Sequence, residues 1–382
     1  MTSADTSLEE LNQWMLAHHM HGYWMQVQSS PSPLTGEGRG GGEMRAQGAA
    51  ASQLTPHVWK WADMYAGLLK AGDLVPVGPS GLTEMRTIGL RNPEGRGVPT
   101  TISLSPQILM PGERTRAHRN LKNETRFVIQ ASPGAIFVAQ GEAFPMEEGD
   151  LVVSPAGTDH DHYNGGAEPA VWLDGLDMAL LNFMGTEINE RYPLDSQYQT
   201  VDKPAGYFLA TQHRMKDPRV ERAFRRAPSP SPLPSGERVR GRPPMRYPWT
   251  DTFATLTALK ESEVGGDPYD GIHLRYTSPV DQGPTLPTFS CEIQLFTPGL
   301  QTRAHRHNST AIYFVVRGEG RTDVAGERFE WTQGDIFCIP PWAWHRHENP
   351  ASEDAILYSV DDWPAMVKMG FHRMEAEGDT PR

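Results

Sequence analysis

Pro111-Gly-Glu-Arg-Thr-Arg-Ala-His118-Arg119 returns almost unchanged as Pro298-Gly-Leu-Gln-Thr-Arg-Ala-His305-Arg306. The first copy runs on into Asn120, the second into His307. The steps from His118 to His305 and from Gln107 to Gln294 are both 187 residues. Further on, Gly149-Asp150 recurs as Gly334-Asp335, Pro155 as Pro340, His160 as His345 and His162 as His347, now at a step of 185. Self-similarity over such a length is an internal duplication. The copies are too long for solenoid repeats, so each is read as a small domain.

Both copies read as strands. Ala311-Ile-Tyr-Phe-Val-Val316 is β-branched and aromatic and stops before Gly318. Arg328-Phe-Glu-Trp331, a turn at Gln333-Gly334-Asp335 and Ile336-Phe-Cys-Ile339 follow, closed by Pro340-Pro341. The first copy repeats this with Arg126-Phe-Val-Ile129, Ala135-Ile-Phe-Val138, Gly149-Asp150 and Leu151-Val-Val-Ser154. Short strands separated by regular turn signals predict a sandwich or closed barrel. Helical patterning is concentrated before the first copy. Thr55 is the expected N-cap, with Pro56 at the first helical position and Trp59, Trp61, Met64, Leu68 and Leu69 recurring as far as Gly72.

The chain has 382 residues, enough for two domains with extensions. A formal charge of −12 disfavours a general nucleic-acid or anionic-membrane surface. Two cysteines, Cys291 and Cys338, lie in strand-like runs and are expected as buried free thiols rather than a disulfide framework. No signal-peptide pattern and no bilayer-length apolar run are evident, which predicts a cytoplasmic location with no membrane partner. Two segments are compositionally foreign. Ser30-Pro-Ser-Pro-Leu34 leads into a Gly-rich run, and Ser229-Pro-Ser-Pro-Leu233 leads into Gly236-Glu-Arg-Val-Arg-Gly241. Neither can form a packed core, and both are expected as surface insertions. The expected domains are a helical extension over 1–95 with an insert at 29–43, a barrel over 96–190, a linker over 191–285 with an insert at 227–244, and a second barrel over 286–370.

The second copy carries a metal-ligand pattern. On a strand, residues two apart share a face, so His305 and His307 point the same way. His345 follows on a later strand. Three neutral imidazoles with open coordination positions suit Fe(II), Mn(II) or Zn(II). The first copy has His118 and His160 but holds Asn120 at the middle position, and an amide is a poor transition-metal ligand. Glu124, four residues after Asn120 and so expected on the same strand face, is the candidate replacement, giving two histidines and a carboxylate; the other reading is an empty site. Arg126 is placed to clamp a substrate carboxylate, and its counterpart in the second copy is Tyr313.

Five segments stand out together: Pro56-His-Val-Trp-Lys-Trp-Ala-Asp63, Gln107-Ile-Leu-Met-Pro-Gly-Glu113, Asp159-His160-Asp-His162-Tyr-Asn164, Val171-Trp-Leu-Asp-Gly-Leu-Asp177 and Asp335-Ile-Phe-Cys-Ile-Pro-Pro-Trp-Ala-Trp-His345-Arg-His347. In combination they resemble the gentisate 1,2-dioxygenase family of bicupins, which includes salicylate and 1-hydroxy-2-naphthoate dioxygenases. The resemblance implies a mainly β fold of two tandem cupin (jelly-roll) barrels with an N-terminal helical extension. It implies Fe(II), and O2-dependent ring cleavage of a small aromatic ortho-hydroxycarboxylate between the hydroxyl- and carboxyl-bearing carbons. The family's iron would fall on His118, Asn120 and His160, with Arg126 binding the substrate carboxylate; Asn120 breaks that set. His162 or His347 would orient a ligand or move a proton. A homo-tetramer is also implied. The competing readings are a non-catalytic bicupin that binds a metal or small carboxylate, and a cupin isomerase or lyase.

Overall fold

The computed structural model describes residues 7–25, 54–78, 83–93, 101–191, 198–205, 207, 244–262, 266–279 and 281–378. The expected inserts at 29–43 and 227–244 lie outside these, apart from Pro244. Each copy folds as two facing antiparallel sheets. In the first copy, one sheet runs Met20–Gly22, Arg86–Leu90, Ser103–Leu109, Ala170–Leu176, Glu124–Gln130, Leu151–Ser154, Met245–Tyr247. The other runs Asn189–Arg191, His118–Asn120, His160–Asn164, Ala135–Ala139, Glu142–Pro145. The second copy repeats the arrangement. Its sheets are Ile272–Arg275, Ser290–Phe296, Ala355–Asp361, Ala311–Arg317, Ile336–Ile339, His57–Trp59, and Glu327–Thr332, Glu319–Val324, His345–Glu348, His305–His307, Met374–Ala376.

The central strands are buried on both faces, and alternation assigns each residue to one of two cores. From Glu124–Gln130, Val128 joins Phe137, Val152 and Trp172 inside the first barrel. Phe127, on the opposite face, joins Ile293, Phe314 and Tyr358 in a core shared by both barrels. Tyr313 and Val315 likewise fill the second barrel with Phe337 and Trp331. Phe127 stacks on Tyr358 with ring centroids 4.3 Å apart, so the barrels pack back to back. Cys291 and Cys338 are free and buried.

The expected helix start is corrected. Thr55 does not cap a helix; its backbone amide donates to Asn92 Oδ1 and its carbonyl accepts from Asn92 Nδ2. His57–Trp59 is a strand paired with Ile336–Cys338 of the second barrel, and the helix runs Trp61–Leu74 after Lys60 in an extended conformation. A distant edge strand offered these residues a ladder that local propensity could not reveal. The expected linker is also ordered in part. Met245–Tyr247 pairs with Leu151–Val153 of the first barrel, and a helix, Trp249–Glu261, follows it. Each barrel is therefore preceded by a strand and helix whose strand completes the other barrel.

The Gly-Asp turns of the duplication hold these arms. Asp335 accepts from the Trp61 amide (3.0 Å) and pairs with Lys60 (2.7 Å). Asp150 accepts from the Trp249 amide (2.9 Å) and from Arg246 (2.7 Å). Gly149 and Gly334 have φ of +84° and +89°, and a Cβ there would lie about 2.5 Å from Trp249 or 2.4 Å from Trp61. A second exchange lies deeper. Asp177 accepts from Asn123 and from Thr288 of the second repeat, while Asp362 accepts from the Thr310 amide and from Thr101 of the first. Asp335→Ala would leave the helix amide and Lys60 without their partner, so a loss of about 2 kcal/mol in urea-denaturation stability is expected. An unchanged midpoint would remove this cap from the account.

Candidate metal centre

His305 and His345 lie directly opposite each other on paired strands, and His307 follows on the same face as His305. Their ligand atoms all lie within 4.8 Å of one another, and all three residues are buried. Among the described residues no other group of three histidine, cysteine or acidic side chains meets that distance. His118, His160 and Glu124, the alternative expected in the first barrel, do not close to it.

The imidazoles are held ready to bind. His345 Nδ1 is 2.9 Å from the Ala343 carbonyl, which fixes the proton there and turns the Nε2 lone pair inward. That Nε2 is buried with no hydrogen-bond partner, an arrangement a cation would satisfy. His307 Nδ1 lies 3.0 Å from the Ser309 carbonyl and 2.8 Å from its hydroxyl. Ser309 Oγ in turn reaches Asp361 (3.4 Å). Burial pushes His305 down to about 4; burial and the nearby His305 do the same to His307, and His345 is also driven well down by burial. Neutral rings are the form that coordinates a metal. The residues present fit a divalent transition metal.

Beside the triad stand Tyr313 and His347. Tyr313 stacks on Phe337 (4.9 Å) and lies 5.2 Å from His347, ring to ring. The Gln294 amide, which donates to Asp270, also reaches the Tyr313 hydroxyl. His347 has Nδ1 2.9 Å from Thr322 Oγ1, while its Nε2 is buried and unpartnered. Tyr269 packs against His305 from the rim (5.1 Å).

The first barrel keeps part of this frame. His118 and His160 are register partners with ring centroids 4.4 Å apart, and their Nδ1 atoms sit on the Arg116 and Thr158 carbonyls. Asn120 and Glu124 were expected on one strand face; they belong to strands of two different sheets, separated by a turn, yet lie 2.7 Å apart. Arg126 is 3% exposed and has every nitrogen engaged: Nε on His162, Nη1 on Ser154 and Nη2 on Glu124. His162, 1% exposed, faces this interior and stacks on Trp172. Asp174 lies 3.8 Å from Arg126 and accepts from Trp172 Nε1, and burial raises its carboxyl to about 7. Ser309 and Asp361 escaped the sequence reading. The only signal for Ser309 was its place two residues after His307, which sequence spacing does not single out.

Because the folded imidazoles take protons near 4 rather than near 6.5, protons compete for them only in acid. Metal affinity, measured by chelator competition, is expected to stay nearly flat from about pH 8 to pH 5 and to fall steeply below that. A decline already complete at about pH 6 would contradict the buried environment assigned to these rings.

The cupin domain model matches residues 107–176 and 292–361, one match in each barrel. The chain is 38% identical to the 5-aminosalicylate 1,2-dioxygenase of Comamonas sp over 325 residues, which is 84% of this chain and 81% of that one. It is 33% identical to the 1-hydroxy-2-naphthoate 1,2-dioxygenase of Nocardioides sp. (strain KP7), covering 87% and 82%, and 35% identical to the gentisate 1,2-dioxygenase of Haloferax sp, covering 84% and 87%. The crystal structure of salicylate 1,2-dioxygenase from Pseudoaminobacter salicylatoxidans as a gentisate adduct superposes with a TM-score of 0.69 at 27% identity, covering 86% and 87%. The duplicated barrels, the buried histidine triad and these likenesses place the chain in the gentisate 1,2-dioxygenase family of bicupins, a family of ring-cleaving enzymes.

Proposed function

We propose that this chain cleaves the ring of a small aromatic ortho-hydroxycarboxylate with O2, using Fe(II) held in the second barrel by His305, His307 and His345. The observation that carries the reading is the convergence of those three buried imidazoles. Gentisate, 5-aminosalicylate and 1-hydroxy-2-naphthoate, named for the relatives, share a hydroxyl beside a carboxylate, so substrates of that class are the ones to test. Bound Fe(II) supplies the redox chemistry that lets O2 react with such a ring.

The protein's own groups do the rest. His305, His307 and His345 would supply three ligands to the metal, fewer than Fe(II) takes, so positions would remain for substrate. The His347 Nε2, buried and unpartnered and kept neutral by burial, is the group proposed to accept a hydrogen bond from the substrate hydroxyl and orient it. Tyr313 is the proposed substrate contact beside it. Phe296, Val315, Trp331 and Phe337 line the interior with apolar surface, which packs an aromatic ring and keeps water out. Arg126 and His162, read from the sequence as substrate anchor and proton carrier, are bonded to each other inside the first barrel and are given no part in this site.

The net charge of −12 supports a small-molecule partner over nucleic acid or an anionic membrane, and a cytoplasmic location is proposed with it. No helix among the described residues is long and apolar enough to cross a membrane. Exposed Phe183, Met184 and Ile188 after the first barrel, with exposed Met369, Phe371 and Met374 in the corresponding region of the second copy, support a homo-oligomer, with a tetramer as the proposed state. Oxygen uptake by Fe(II)-loaded protein is expected with at least one of gentisate, salicylate, 5-aminosalicylate or 1-hydroxy-2-naphthoate. His345→Ala is expected to lower it by about a thousand-fold or more and to release the metal. Silence with all four acids in metal-loaded protein would favour a binding role without catalysis.

A further inference from the structure

We infer that the first barrel takes no metal, because the guanidinium of Arg126 occupies the role of the cation there. The family resemblance places a metal on His118, Asn120 and His160, and the residues present do not fit one. Asn120 is committed at both ends of its amide: Nδ2 donates to Glu124 Oε1 (2.7 Å) and Oδ1 accepts from the Lys122 amide (3.0 Å). Glu124 Oε2 accepts from Arg126 Nη2 at 2.6 Å and lies 3.1 Å from His160 Nε2, the atom that would otherwise face a metal. Arg126 completes its shell with His162 Nε2 and Ser154 Oγ, both at 2.7 Å, and lies over the Phe137 ring. Glu124, Arg126, Ser154, His160 and His162 are all buried. A buried carboxylate needs a cation, and a fixed guanidinium with directed donors supplies it as an ion would.

The second barrel shows the opposite choice at the same positions. Strand register pairs Glu124 with Ser154 and Arg126 with Asp174 in the first barrel; the same register pairs Ala311 with Ile339 and Tyr313 with Ser359 in the second. Asn120 corresponds to His307 by the duplication step. So wherever the first barrel has a member of the ion cluster, the second has a neutral side chain, and it gains the third imidazole. The two barrels use alternative cations: a side chain in one, a metal in the other. This inference rests on the second-barrel reading only for its reference metal count.

The test is metal content per chain after loading with Fe(II) or Zn(II) and gel filtration. About one metal is expected in the unaltered protein, retained in His118→Ala and lost in His305→Ala. Arg126→Met removes the internal cation and leaves Glu124 beside His118 and His160, so this variant is expected to bind about two metals per chain and to regain thermal stability when Zn(II) is added. The double variant Arg126→Met/Glu124→Gln, which also removes the carboxylate ligand beside His118 and His160, is expected to return to about one. Two metals in the unaltered protein, with one surviving His305→Ala, would overturn the inference and leave the second-barrel site standing. One metal that survives His305→Ala but not His118→Ala would overturn both. A folded Arg126→Met that stays at one metal would also overturn the cation exchange; if that variant does not fold, the unaltered and His118→Ala counts still decide.

Discussion

Everything in this chain depends on the buried face where the two barrels meet. Phe127, Val153 and Leu173 from one copy pack against Ile293, Phe314 and Tyr358 from the other, and the helix Trp61–Leu74 covers the same core through Met64, Leu68 and Ala71. At about 25 cal/mol per Å² of apolar surface, side chains of this size contribute roughly 1.5 to 3 kcal/mol each. That face sets the direction of every strand that also lines a barrel. With Phe127 committed to the shared core, alternation commits Glu124, Arg126 and Val128 to the first interior; with Phe314 committed, it commits Tyr313 and Val315 to the second.

The two interiors then solve one electrostatic problem in two ways. Both keep a pair of histidines facing across paired strands, His118 with His160 and His305 with His345, and backbone carbonyls hold the Nδ1 atoms of His118, His160 and His345. A low-dielectric interior penalises a lone charge of either sign. The first barrel balances Glu124 against Arg126; the second puts Ala311 and Tyr313 at those two positions and leaves imidazole nitrogens of His345 and His347 without a hydrogen-bond partner. The same fold thus carries a closed ionic cluster and an open ligand set, separated by a handful of side chains.

Much of this was legible in the sequence because the duplication is long and the strands are short and clearly punctuated. Ile336–Ile339 and Leu151–Ser154 have the bounds their composition predicts. The histidine triad was visible as spacing on alternating strands. The exchanged arms were not. Trp61 and Asp63 repeat as Trp249 and Asp251, but the Pro/Gly/Ser-rich segment before the second arm obscures the likeness, and strand pairing across domains leaves no local trace. For the same reason the contact of Asn120 with Glu124 was anticipated for the wrong cause: the two meet across a turn between sheets rather than along one strand.

The reciprocal contacts have a history written into them. Asp335 holds the arm of the first repeat while Asp150 holds that of the second; Thr288 binds Asp177 while Thr101 binds Asp362. Such pairs, in which i meets j and j meets i, are the contacts of a two-fold homodimer with swapped arms. In a homodimer both subunits must carry the same residue at each position, so both interiors must be alike. Joining the two copies in one gene lifts that restriction. With both copies in one chain, the reciprocal interface persists while position 120 holds asparagine and position 307 holds histidine.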